Sequence, residues 1–240
     1  MGDKNDNGYE KIEVPQVGDS HEGVPVISGG EVLGVDVSHF QGPVDWKKLY
    51  SLGYFFAFAK ATDGANGRYA MFEKHKAGAK AAGMIFGAYH FFRFKDDPAK
   101  QMHNFMTVAG TVEPGELPHT LDLEWDRTSP KYSEGHEMDE EAADLAFMAA
   151  NTLALSIRML PIIYTNAYFF NPGVRGDSYK QMPLWVPSYK PKRIEDVKIP
   201  KPWTKATFWQ YSESLSFGGV DKIDGNKFIG SYEQLKALTK

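Results

Sequence analysis

From Glu31 onward, short apolar runs alternate with longer stretches in which apolar residues recur at helical spacing. Val32–Val37 predicts a strand. Asp45 then caps a helix that ends at Gly53. Phe55–Lys60 is nearly continuous in apolar character, the pattern of a strand buried on both faces. A helix running to about Ala82 stops at Gly83, and Met84–Phe92 is a second buried strand. Asp97 followed by Pro98 is a helix start with proline at the first helical position, and that helix ends near Gly110. Leu117–Trp125 reads as a strand, Met138–Arg158 as a long Ala-rich helix, and Pro161–Thr165 as a strand again. Beyond it the helical pattern thins. Leu184–Tyr189 and Thr207–Tyr211 look like strands joined by Pro-rich loops, and Tyr232–Leu238 is a short closing helix.

Repeated strand–helix units with short connections imply a parallel sheet with right-handed crossovers. The expected fold is α/β: a TIM-like barrel that is irregular in its last third, where the helical pattern thins. Residues 1–30 lack sustained periodicity and begin with the polar run Gly2–Gly8. They are expected to be a flexible leader, leaving 31–240 as one barrel domain.

Composition narrows the function. The 240 residues carry a net charge of -4, which argues against a nucleic-acid partner. Hydrophobic residues at 42% suffice for a large core, and 14% aromatics lean towards a sugar-stacking surface. With no cysteine, thiolate metal sites and Cys nucleophiles are excluded. The seven histidines show no metal-ligand spacing, and no phosphate loop, dinucleotide fingerprint or serine elbow is present. The chain is therefore expected to need no metal and no cofactor, to have no transmembrane segment, and to act as a monomer.

In a parallel barrel, chemistry sits at the carboxyl ends of the strands. The polar residues there are Asp36, Asp63, His90, Asp122, Glu124 and Tyr164. Asp122 and Glu124 are two apart, so in a strand their side chains share one face, with Leu121 and Leu123 on the other. Carboxyls that close raise one another's pKa, and a protonated acid beside an ionised one is what glycoside cleavage needs. Asp36 is an acid inside an apolar strand, and its burial needs a partner. Asp224-Gly225, taken alone, reads as a turn. Trp125, Trp185 and Trp209 fall near strand ends, where packing is the ordinary role. His90 is open to substrate binding or to a structural hydrogen bond.

These residues resemble the glycoside hydrolase family 25 lysozymes, the Chalaropsis-type N-acetylmuramidases. The resemblance begins with Gly34-Val35-Asp36-Val37-Ser38-His39-Phe40-Gln41-Gly42 and continues through Ala59-Lys60-Ala61-Thr62-Asp63-Gly64 and Gly87-Ala88-Tyr89-His90-Phe91-Phe92. It runs on through Leu121-Asp122-Leu123-Glu124, Ile163-Tyr164-Thr165-Asn166, Leu184-Trp185-Val186, Phe208-Trp209-Gln210-Tyr211 and Ile223-Asp224-Gly225-Asn226. It implies an irregular, flattened TIM-like β/α barrel with helices missing after the last strands, and cleavage of the β-1,4 bond from N-acetylmuramic acid to N-acetylglucosamine in peptidoglycan. Glu124 would be the general acid and Asp122 the residue that stabilises the acetamido group or the oxocarbenium-like centre. Asp36 and Asp224 would complete the acidic cluster. Asp63, Tyr89, His90, Tyr164, Trp185 and Trp209 are the expected substrate-binding residues.

Both a nucleophilic Asp122 and a retaining, substrate-assisted path remain open. Two departures stand out: the family often carries Glu where Asp63 stands, and Asp-Leu-Asn where this chain has Asp224-Gly225-Asn226. Asp221 competes with Asp224 for the fourth acid. Two rival readings share these features, a chitinase-like hydrolase and a catalytically silent peptidoglycan-binding module. The expected location is extracytoplasmic, secreted or tethered through a lipid anchor upstream of residue 2, or that of a phage endolysin.

Overall fold

In the computed structural model, which describes residues 30–217 and 220–240, eight strands close into a ring. They are β1 (Glu31–Val37), β2 (Tyr54–Asp63), β4 (Ile85–Phe91), β5 (Thr120–Asp122), β6 (Ile162–Tyr164), β7 (Leu184–Pro187), β8 (Phe208–Phe217) and β9 (Val220–Ile229). β3 (Gly67–Arg68) is a short antiparallel appendage of β2. Neighbours from β1 through β8 are parallel, whereas β9 runs antiparallel to both β8 and β1 and seals the ring. The expected barrel is therefore present. The expected leader lies outside the described residues but for Gly30.

Local chemistry starts and stops the helices. Asp45 accepts the Lys48 N–H at 3.0 Å ahead of α1 (Trp46–Ser51). α2 (Phe72–Ala81) gives way to Gly83 at φ 88, a left-handed conformation that glycine adopts without strain. Asp97 caps α3 (Pro98–Ala109), and Asp139 caps α4 (Glu140–Ile157) by accepting the Ala142 N–H. After β6 the helices among the described residues are short: the four-residue α5 (Ala167–Phe170), a 3-10 turn at Ile194–Asp196, and α6 (Tyr232–Ala237), which closes the chain behind a Ser231/Gln234 capping box.

Strand parity sorts the apolar residues into two cores. Inside the ring, Phe56, Phe58, Tyr89, Tyr164, Trp185 and Phe208 pack together, with Phe58 stacked on Trp185 at 4.4 Å between centroids. Outside it, Ala57, Ala59, Ala88, Leu121, Leu123 and Ile163 meet the helices. Burying each large inner side chain contributes about 1.5–3 kcal/mol, so this aromatic plug is a main support of the barrel floor. Gly34 is required beside it, because a Cβ there would lie 2.4 Å from the Phe56 ring.

Three boundaries differ from the expectation. The strand predicted over 117–125 is regular only at Thr120–Asp122; Pro118, which has no N–H to give the ladder, delays its start. The strand predicted over 207–211 extends to Phe217. Asp224-Gly225 is no turn: it lies inside β9, where a Cβ on Gly225 would meet Leu215 Cδ1 at 2.5 Å and the Tyr211 ring at 2.9 Å. Close approach of β8 explains that glycine.

Candidate active site

The parallel strands end at one rim, where a cleft of about 610 Å³ opens. Asp36 comes from the end of β1, Asp122 and Glu124 from the end of β5 and just beyond, and Asp224 from β9. Tyr89, Tyr164 and Trp185 also line it, from β4, β6 and β7.

Asp36 and Asp224 stand directly opposite in the β1–β9 pairing. Like charges in that position repel, and burial adds to the penalty. The pair therefore shares a proton. Burial first, then the Asp36 charge and the hydrogen bond between them, push Asp224 up to about 9, so Asp224 holds the proton and donates it. Asp36 is raised by burial to about 6, against the pull of its donors. Those donors are Asn226 Nδ2 at 2.7 Å and Gln210 Nε2 at 2.8 Å, both on Oδ1. Each amide is itself oriented. The Trp185 indole N–H, which can only donate, bonds Asn226 Oδ1 at 2.8 Å and so turns the Asn226 NH2 towards Asp36. Gln210 Oε1 takes the Tyr164 and Tyr189 hydroxyls, each at 2.8 Å.

On the facing wall, Asp122 is buried, and its Oδ1 has no hydrogen-bond partner among the described residues. Burial, followed by the charge of Glu124, holds Asp122 well above the usual carboxylate range. Glu124 is half-buried and raised to about 7 by burial, with Lys60, Arg127 and Arg93 pulling it back down. At neutral pH this second pair also retains a proton. A buried orphan acceptor beside a half-protonated acid fits a ligand that brings an N–H to Asp122 and takes a proton from Glu124.

Three expected binding residues do not reach the cleft. Asp63 is spent on Arg93, at 2.5 Å from Nε and 2.8 Å from Nη2, and on Lys60 at 3.2 Å. Burial would raise its pKa, but the Arg93 bonds and the Lys60 charge hold it below its ordinary value. Its work is to brace two cations whose side chains do line the cleft. His90 faces outward, bonded to Thr62 Oγ1 at 2.7 Å and Gln101 Oε1 at 3.1 Å, and burial drops its pKa to about 4. Trp209 packs in the outer core and donates to the Ser188 carbonyl. Asp221 lies outside the residues whose side chains are described.

Gln210, Asn226, Tyr189 and the cations Lys60, Arg93 and Arg127 belong to the site although the sequence reading did not select them. Parity held the signal for Gln210. Phe208 points into the barrel, so Gln210 does too and Trp209 cannot.

With this geometry in hand, known proteins give a consistent comparison. Residues 35–220 match the sequence model described as Glycosyl hydrolases family 25. The chain is similar to Lysozyme M1 of Streptomyces globisporus, at 32% identity over 213 residues that span 86% of this chain and 71% of that protein. It is 28% identical to the N,O-diacetylmuramidase of Chalaropsis sp, covering 86% of this chain and 98% of the relative. Among solved structures, the muramidase from Trichobolus zukalii aligns with a TM-score of 0.77 at 29% identity, over 87% of this chain and 99% of that one. The family GH25 lysozyme from Aspergillus fumigatus aligns with a TM-score of 0.76 at 28% identity, over 88% and 99%.

Proposed function

The chain belongs to the glycosyl hydrolases of family 25, and from that premise we propose that it is a lysozyme cutting the β-1,4 bond between N-acetylmuramic acid and N-acetylglucosamine in peptidoglycan. The observation that carries the chemistry is the Asp122–Glu124 pair at one strand end, with Asp122 Oδ1 buried and unpartnered.

Asp122 ends β5 and Glu124 lies two residues beyond it, and both carboxyls line the cleft. Asp122 Oδ1, buried and without a partner among the described residues, suits an acetamido N–H, which favours holding that group over attacking the ring itself. The substrate's own acetamido group supplies the nucleophile. Its carbonyl oxygen attacks the anomeric carbon of the muramyl sugar while the bond to the leaving O4 breaks. Glu124 gives that oxygen its proton. The acetamido N–H meets Asp122 Oδ1, which stabilises the ionised form of Asp122 and leaves the pair's proton on Glu124. Water then opens the cyclic intermediate at the anomeric carbon, its proton returning to Glu124, so configuration is retained. Asp36, held by Gln210 and Asn226, supports the positive charge that develops near the ring.

The unit proposed for this activity is residues 31–240, acting as a monomer without a metal or other cofactor. Peptidoglycan lies outside the cytoplasmic membrane, so the proposed site of action is extracytoplasmic, by export or as a phage endolysin. No helix among the described residues is long and apolar enough to cross a membrane.

Glu124→Gln keeps the shape of the side chain and removes its transferable proton. Release of muropeptides with muramyl reducing ends, followed by mass spectrometry, should fall at least about 10²–10⁴-fold with the fold intact by circular dichroism. Near-normal release would remove Glu124 from the acid role. Products with N-acetylglucosamine at the reducing end would instead favour a chitinase-like specificity.

A further inference from the structure

Four cations line the cleft: Lys60, Arg93, Arg127 and Lys222. Two of them are neutralised inside the protein, Lys60 by Asp63 and Arg93 by Asp63 and Asp126. Arg127 and Lys222 differ. Both are exposed, and neither side chain has a hydrogen bond or ion pair among the described residues.

Both are nonetheless held firmly at the backbone. Asp126 is buried and bound to Arg93, and its Oδ1 takes the Thr128 N–H at 2.8 Å and the Thr128 hydroxyl at 2.7 Å. The Ser129 N–H bonds the Asp126 carbonyl at 2.9 Å. Arg127 therefore projects from a fixed turn. Lys222 sits at φ 59, a left-handed conformation that is strained for a non-glycine residue. Its carbonyl accepts Gln41 Nε2 at 2.9 Å, and Gln41 Oε1 in turn takes the Ser38 N–H at 2.8 Å.

The two cations also face each other across the acids. Arg127 follows β5 and Lys222 opens β9, four places apart in the ring of eight. A glycan lying across the rim passes one, then the carboxyl pairs, then the other. In an alternating strand cut after a muramyl sugar, that sugar lies on one side of the scissile bond and the next muramyl sugar lies two places beyond it. Each bears a carboxylate, on the lactyl group itself or on a peptide attached to it.

Resting on the muramidase reading, we propose that Arg127 and Lys222 are carboxylate-binding positions, one on each side of the cut, through which the cleft selects an anionic glycan. The planar guanidinium of Arg127 suits a carboxylate bidentately, while Lys222 acts as a point charge. Both contacts are solvent-facing and so are weakened by salt.

The test measures kcat and KM at pH 5.5, where Glu124 keeps its proton in every variant. The enzymes are wild type, R127Q, K222Q and the double variant. The substrates are bare glycan with free lactyl carboxylates, the same glycan with those carboxyls reduced to alcohols, and peptide-bearing glycan with peptide carboxyls free or amidated. Wild type should prefer a charged substrate over its neutral counterpart by about tenfold or more, chiefly through KM and less in 0.5 M salt. Each single variant should lose part of that preference, and the double variant nearly all of it. A preference on bare glycan assigns the charge to the lactyl group; one seen only with peptide assigns it to the peptide. Equal kcat/KM on charged and neutral substrates, or a double variant that keeps the wild-type preference, overturns the proposal and leaves the muramidase reading standing. Failure of wild type to cut any of the four would count against that reading itself.

Discussion

Glu124 sits where burial pushes its proton affinity up and three cations pull it down, to about 7. A general acid works in its protonated form, so activity should be present below that value and fall as pH rises through it. Lys60 favours the ionised form, and replacing it should therefore raise the Glu124 pKa. Lys60→Met is expected to move the falling limb of kcat/KM to higher pH by up to about one unit, read from a pH–rate profile. An unmoved limb would show that another group sets it. The acids themselves were legible because charged residues at apolar strand ends demand an explanation. The binding residues were read less well, and for one physical reason. Tyr89 and His90, or Trp209 and Gln210, cannot both face the cleft, because neighbours on a strand point to opposite sides. Parity separates each pair only once one inward residue is known, and Phe208 and Tyr89 supply it.

At the level of elements, the β/α units were legible because caps and apolar runs are local signals. Asp45 and Asp97, read as caps in the sequence, each cap the helix that follows, whereas the Asp139 cap of α4 was not singled out. β9 was not legible. Its residues carry Asp, Lys, Gly and Asn, and what makes them a strand is pairing with β1 and β8, far away in sequence. Packing of the inner core supplies a test at this scale. Gly34 lies against Phe56, so Gly34→Ala overpacks the barrel floor and should cost about 1–3 kcal/mol, lowering Tm by several degrees. Adding Phe56→Leu should recover part of that loss in calorimetry. No recovery would mean that the strain lies in the β1 backbone instead.

For the molecule as a whole, the site is held at the expense of stability. Asp224, raised to about 9 in the folded state, keeps a proton that the unfolded chain releases above about pH 4. Its contribution is complete below that pH and is lost progressively as pH climbs towards 9. Asn at this position still offers an N–H to Asp36 and has no proton to lose. Asp224→Asn should match wild type near pH 4 and exceed it by roughly 1–3 kcal/mol near pH 8, seen as a higher Tm and accompanied by reduced lysis. Equal Tm values at pH 8 would contradict the shared-proton account of Asp36 and Asp224. The buried His90 and His119, both lowered to about 4 by burial, act in the opposite sense and destabilise the fold as pH falls from about 6.5. The gain from Asp224→Asn should therefore show most plainly on the alkaline side.

The antiparallel closing strand has a further consequence for the order of events during synthesis. Asp36 is made early, but the amides that hold it lie 174 and 190 residues later, on β8 and β9. Until the ribosome has released that last hairpin, β1 has an open edge and the acidic cluster is half-built. A nascent or prematurely ended chain thus has Asp122 and Glu124 but no finished site around them. The full set of contacts around Asp36 is therefore complete only once the final strand is in place.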